Sequence, residues 1–220
     1  ADALSVLDPV TADDALLPLV QVRRAVIAER MGRTDEALSL LATVAREMPD
    51  RPEPLVMQAD ILRSHNRFAE AVSAYDKAVA LTPNPTADNW ALFYNRAIAL
   101  DRDHKWPAAE ADLMHALALS PNQPNVMNYL GYSLTEQGRD LKRARQMIER
   151  AAAAQPDDGA IADSLGWVML RQGDATGGLK ELERATELEP NDATVNMHLG
   201  DAYWAVGRKL YAQFQWRRAM

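Results

Sequence analysis

The sequence predicts an all-α protein, an α-solenoid built from a helical hairpin repeated about six times, and three observations carry that expectation. Prolines at 49, 83, 121, 156 and 190 follow one another at spacings of 34, 38, 35 and 34 residues, each followed by Asp50, Asn84, Asn122, Asp157 or Asn191. With this proline counted as position 32, alanine or glycine fills 17 of the 18 places at positions 8, 20 and 27, where roughly four would be expected by composition. A break recurs near position 15, at Gly32, Asn66, Gly138, Gly173 and Gly207. Self-similarity at a fixed period of this length is the mark of stacked units that bury a core only against their neighbours.

The repeats begin near residues 18, 52, 90, 124, 159 and 193, so that 18–220 reads as the array. The first runs from Pro18 through Ala25 in helix A, breaks at Gly32, and continues through Ala37, Leu41 and Val44 in helix B. The second repeats that order with Ala59, Leu62, Asn66, Ala71, Tyr75 and Ala78. Thr86-Ala87-Asp88-Asn89 is inserted before the third, which carries Ala97, Leu100, Ala109, Leu113 and Ala116. The fourth takes one extra residue in its turn and brings Gly131, Leu134, Ala144, Ile148 and Ala151. Gly166, Met169, Gly178, Leu182 and Ala185 mark the fifth, and Gly200, Ala212, Trp216 and Ala219 the sixth. Small residues recur because two antiparallel helices approach closely only where side chains are short, and the larger ones fill the space left. Proline ends each unit because it cannot continue a helix interior, and the Asp or Asn beside it suits the cap of the next helix. Residues 1–17 read as the tail of a preceding helix B (Ala3, Leu4, Val6, Leu7, then Pro9) and an extension of the following helix.

This pattern resembles the tetratricopeptide repeat (TPR) family, whose unit has small residues at 8, 20 and 27 and proline at 32. The resemblance covers about residues 18–220 and implies a right-handed superhelix of about six helix-turn-helix units with helix A lining the concave side. It departs from the family at position 4, where Gln21, Leu55, Phe93, Met127, Ala162 and Asn196 stand in place of consensus aromatics. Asp163-Ser164-Leu165-Gly166-Trp167 and His198-Leu199-Gly200-Asp201-Ala202-Tyr203-Trp204, with Phe214-Gln215-Trp216-Arg217-Arg218-Ala219, look like a group of proteobacterial repeat proteins. Some of those are envelope lipoproteins that act as adaptors for carboxyl-terminal processing proteases. That narrower resemblance implies a bacterial source and a periplasmic or cell-envelope location, with the cytoplasm as the alternative.

Composition limits the function. The 220 residues hold 31 acidic and 24 basic groups, a net charge of −7, with no cysteine. An acid excess argues against nucleic acid, whose affinity comes from clustered Lys and Arg. Disulfides, cysteine-based zinc sites and thiol nucleophiles are excluded outright. No apolar run approaches 18 residues, so no membrane insertion is expected. The four histidines (His65, His104, His115, His198) show no metal-ligand spacing and no recurring carboxylate partner. His104, after Asp101 and Asp103 in a turn, reads as solvated. Phosphate-cradling glycine loops and nucleophile elbows are missing. The chain reads as non-enzymatic, without cofactor or metal.

What remains is a surface. In a helix A that buries positions 4, 8 and 11, positions 2, 5, 9 and 12 form the adjoining stripe. Of those 24 residues 13 are apolar or aromatic, six are acidic, and only Arg63 is basic. The expected partner-binding set is Tyr94, Ile98, Asn128, Tyr132, Asp163, Trp167, Leu170, Met197, Asp201 and Trp204. Trp167 and Trp204 lead it, being off the family's packing positions, whereas Trp106 and Trp216 fall in helix B and read as core. Exposed apolar stripes rimmed by charge mark contact surfaces. The expected partner is a protein segment combining apolar anchors with Lys or Arg, because Asp60, Asp101, Asp163 and Asp201 would repel the acidic tails that a carboxylate clamp holds. The alternative is a self-assembly module joined through its ends or convex face. The last repeat stops at Met220, six positions short, which leads to the expectation of a fragment with an uncovered end around Tyr203, Tyr211 and Phe214.

Overall fold

A computed structural model describes residues 17–220; the calls on Ala3–Leu7 and Pro9 lie outside the described residues. Among the described residues the chain divides into two compact units, one up to Ser120 and one from Pro121 to Met220. The first holds α1 (Leu17–Arg30), α2 (Thr34–Glu47), α3 (Glu53–Ser64), α4 (Phe68–Ala80), a short 3₁₀ turn at Ala87–Asn89, α5 (Trp90–Arg102) and α6 (Trp106–Leu119). The second holds α7 (Pro124–Glu136), α8 (Leu141–Ala154), α9 (Gly159–Arg171), α10 (Ala175–Leu188), α11 (Ala193–Ala205) and α12 (Lys209–Arg218). Each unit is a stack of three hairpins.

Every hairpin closes through the same device. At position 15 the backbone turns left-handed, with positive φ at Gly32, Asn66, His104, Gly138, Gly173 and Gly207. The following amide then reaches back five residues: Arg33 to Ala28, Arg67 to Leu62, Lys105 to Leu100, Arg139 to Leu134, Asp174 to Met169 and Arg208 to Tyr203. This Schellman closure satisfies carbonyls that the helix end would leave unpaired. Asn66 and His104 stand where four of the six units use glycine.

Helix starts differ from the expectation. The Asx after each proline lies in the turn. Capping falls instead on Asp158 and Asp192, two residues past Pro156 and Pro190, which accept from the Ile161 and Val195 amides. Asp140 and Asp174 do the same for α8 and α10. A side-chain oxygen there satisfies one of the helix's orphan donors.

The small positions are the core. Ala25, Ala37, Ala59, Ala71, Ala78, Ala97, Ala109, Ala116, Ala144, Ala151, Ala185 and Ala212 are fully enclosed, and Leu41, Tyr75, Leu113, Ile148 and Leu182 fill position 24 between them. Only Ala219, at the last helix end, is half-buried. In α9 and α10 the approach is closest: a Cβ placed on Gly178 would lie 2.7 Å from the Gly166 carbonyl oxygen and 3.0 Å from the Leu170 nitrogen. Trp106 and Trp216, read as core, are half-buried.

Candidate functional site

The helix-A faces are α1, α3 and α5 in the first unit and α7, α9 and α11 in the second. Their position 5, 9 and 12 side chains do not form one uniform exposed stripe. Met197 and Trp204 on α11 are exposed, at 45% and 50% of their surface. Tyr94, Ile98, Asn128, Tyr132, Trp167, Leu170 and Asp201 are half-buried.

Asp163 corrects the expectation: it is 5% exposed and turned against α11, where the buried His198 Nδ1 donates to its carboxylate at 2.9 Å. A carboxylate buried beside a donor is stabilised by that hydrogen bond and is not offered to a partner. Trp167 is also engaged within its own unit. Its ring stacks on His198 at 4.2 Å, its Nε1 donates to Glu136 at 2.7 Å, and the Arg171 guanidinium lies 5.4 Å over the ring. Leu170 packs on the cluster of Leu179, Leu182 and Leu199. These three brace the hairpins more than they face solvent.

The acids of position 9 have a further explanation. The Tyr75 hydroxyl donates to Asp60, and the Trp216 Nε1 donates to Asp201 at 2.9 Å. In both cases position 24 of helix B carries an aromatic with a polar tip, and position 9 of the same repeat supplies its acceptor. Where position 24 is Leu41, Leu113, Ile148 or Leu182, position 9 is Val26, Ile98, Tyr132 or Trp167. A buried hydroxyl or indole N–H needs a partner, so Asp60 and Asp201 answer an internal demand. Arg63 and Asn95 also donate to or pair with Asp60. Burial and Asp60 together push the Tyr75 phenol well above its ordinary range.

Sequence reasoning missed the histidine partners. His65 Nε2 lies 2.7 Å from Glu29, and His198 meets Asp163. Each pair joins consecutive A helices at an offset of 36 or 35 residues, one repeat plus one or two. Searching charge pairs at that offset would have found both.

The carboxylates that act on Tyr132 are both engaged, Glu136 by the Trp167 Nε1 and Arg171 and Asp163 by His198. Burial first, then the Glu136 and Asp163 carboxylates, push the Tyr132 phenol up to about 12. Tyr132 also lies 6.3 Å from the His198 ring. On α11 of the same unit the exposed Trp204 tilts against Trp216 and carries the Lys209 ammonium 5.1 Å above its ring. Among the described residues no group of three His, Asp or Glu side chains could hold a metal ion, and no helix is long and apolar enough to cross a membrane.

A family model of the tetratricopeptide repeat matches residues 1–90, 94–159 and 164–210. The chain belongs to the tetratricopeptide repeat family. Such repeats generally mediate protein–protein interaction and are generally non-catalytic scaffolds. A TPR repeat-containing protein of Pseudomonas aeruginosa is 31% identical over 182 residues, covering 82% of this chain and 30% of that protein. Bacteriophage adsorption protein A of Escherichia coli is 34% identical over 147 residues, or 67% of this chain and 13% of that protein. The chain thus spans less than a third of the length of these relatives. Among solved structures, a tetratricopeptide repeat protein from Parabacteroides merdae superposes with a TM-score of 0.76 at 15% identity, over 91% of this chain and 78% of that one. YrrB, a TPR protein with an unusual peptide-binding site, gives 0.61 at 20% identity over 81% of this chain and 90% of that one.

Proposed function

We propose that this TPR chain is a non-catalytic adaptor that holds an extended or helical protein segment, apolar with basic residues, on its helix-A faces. The observation that carries the reading is the exposure of Met197 and Trp204 on the A face of α11, where large apolar side chains gain by being covered. The net charge of −7 favours a partner with Lys or Arg. YrrB lends support as a repeat protein whose name records a peptide-binding site. The test is photocrosslinking in cells from position 197, followed by Trp204→Ala. The partner should be captured from position 197, lost with Trp204→Ala, and associate more slowly as salt rises. Capture that is indifferent to Trp204→Ala would end this reading.

A second reading has its own observation. Leu210, Tyr211 and Phe214 of α12 are all exposed, which suits self-association through that helix. Sedimentation separates the two: Leu210→Ser with Phe214→Ser should lower the mass of an assembly module and leave an adaptor's mass unchanged. A periplasmic or cell-envelope location is proposed from the sequence resemblance alone, and cell fractionation tests it.

A further inference from the structure

On the B helices, positions 18, 19 and 22 lie on one side. α2, α4, α8 and α10 each pack against the A helix that follows within their own unit, and these places still stay exposed on all four, Gly177 alone being half-buried. They hold Asp35, Glu36 and Ser39 on α2 and Lys142, Arg143 and Gln146 on α8, and on α4 and α10 nothing apolar larger than alanine. That side meets solvent even where another hairpin stacks alongside. On α12 the same three places are Leu210, Tyr211 and Phe214, exposed over 80%, 60% and 58% of their surface. Neither hairpin closure nor the stacking of a further unit accounts for three large apolar side chains there.

The charge on this helix is one-sided. α12 carries no carboxylate, whereas its N-cap Arg208 and its Lys209, Arg217 and Arg218 are all exposed. Arg217 follows Leu210 by seven residues and Phe214 by three, so it continues the apolar row by one turn on the same side. Arg218 is tied back to the Pro190 carbonyl and Lys209 lies over the Trp204 ring. The last turns of α8 and α10 carry no basic residue, so closing a B helix does not itself call for these cations. Tyr211 is steadied by Tyr203, their rings 5.3 Å apart. Aromatic side chains and arginine together are what contact surfaces are enriched in.

We infer that the Leu210, Tyr211, Phe214 and Arg217 side of α12 docks an amphipathic helix of another protein, one whose apolar row is flanked by Asp or Glu. Leu210 and Phe214, one turn apart, form a ridge of the kind that a second helix receives in its grooves. Its carboxylates complement the cations of α12. Two α12 helices packed face to face would set cation against cation, which disfavours a second copy. An anionic bilayer would meet the whole chain, whose net charge is −7, whereas one helix lying along α12 is within a Debye length, about 8–10 Å, chiefly of its cations. This surface goes beyond the adaptor reading, which concerns the A faces, and gives the chain a second docking place on a B helix.

The test uses the full chain and two synthetic helical peptides with the same leucine and alanine positions, one filled out with glutamate and the other with lysine. Binding is read from the backbone amide resonances of Leu210, Phe214 and Arg217. The glutamate peptide should shift them at concentrations at least about tenfold below those the lysine peptide needs. Leu210→Ser with Phe214→Ser should abolish the response. Arg217→Glu should weaken the glutamate peptide at least about fivefold and strengthen the lysine peptide; all three side chains are exposed, so the rest of the spectrum should be retained. Equal response to the two peptides, a shift of the same resonances on concentrating the chain without peptide, or a stronger response to phosphatidylglycerol vesicles than to the glutamate peptide overturns the inference, the last two in favour of a second copy and of a bilayer. The two readings fail separately. Capture from position 197 that is lost with Trp204→Ala, with no response of α12 to the glutamate peptide, removes this surface and spares the adaptor; a response of α12 with capture indifferent to Trp204→Ala does the reverse.

Discussion

Gly177 and Gly178 are neighbours on α10, and replacing each by alanine separates helix propensity from packing. Both substitutions gain about 1 kcal/mol of propensity. A Cβ on Gly178 meets backbone, 2.7 Å from the Gly166 oxygen and 3.0 Å from the Leu170 nitrogen, so α9 and α10 must part. Overpacking of that kind costs about 1–3 kcal/mol. The atoms nearest a Cβ on Gly177 are the Met169 Cε at 2.4 Å and the Asp174 carboxylate at 2.5 Å. Met169 can swing aside; Asp174 is the N-cap, and disturbing it costs up to about 1 kcal/mol. Gly177→Ala should therefore be near neutral, and Gly178→Ala should be destabilising by up to about 2 kcal/mol, which for a chain of this size lowers Tm by about 2–4 °C per kcal/mol. Gly166→Ala pushes on the same contact, 2.9 Å from the Gly178 oxygen. The double substitution Gly166→Ala with Gly178→Ala should then cost less than the sum. Urea unfolding followed by circular dichroism measures all four chains. Equal effects of Gly177→Ala and Gly178→Ala, or strict additivity of the pair, would refute the close-approach argument.

Three further outcomes are expected. His104→Gly should raise stability by about 0.5–1 kcal/mol, because a side chain at φ 62° is strained where glycine is not, and thermal unfolding measures it. Asp201→Ala should cost about 1–2 kcal/mol by stranding the Trp216 N–H, whereas Asp201→Val with Trp216→Leu, the pairing of Val26 with Leu41, should recover part of that loss in denaturant unfolding. Tyr132 and Tyr203 stay neutral in the folded chain up to about 12, whereas an unfolded tyrosine ionises near 10. The unfolding free energy should accordingly hold below pH 10 and fall as pH rises from about 10 to 12, and Tyr132→Phe with Tyr203→Phe should flatten that fall.

The sequence by itself determined the hairpin, its period and its small positions. Those features rest on contacts at short, constant separations, such as Gly166 against Gly178 or Ala28 against Arg33, so every repeat restates them and six copies average out the exceptions. His104 shows the limit even here: the turn geometry repeats where the residue type does not. What only the tertiary structure decided is the use of the A face. Whether a carboxylate there meets solvent or a neighbour depends on the residue one repeat away or on the tip of a helix-B aromatic, and neither follows from helical periodicity. Asp163 turned inward because His198 stands across from it, and Asp60 and Asp201, half-buried, are engaged because Tyr75 and Trp216 bring polar tips that need an acceptor. Met197 and Trp204 stayed outward, Trp204 with only one side of its ring against Trp216 and Lys209. Polar burial is settled pair by pair, through partners distant in sequence, and that is why an apolar period could be read from one strand of text while the site could not.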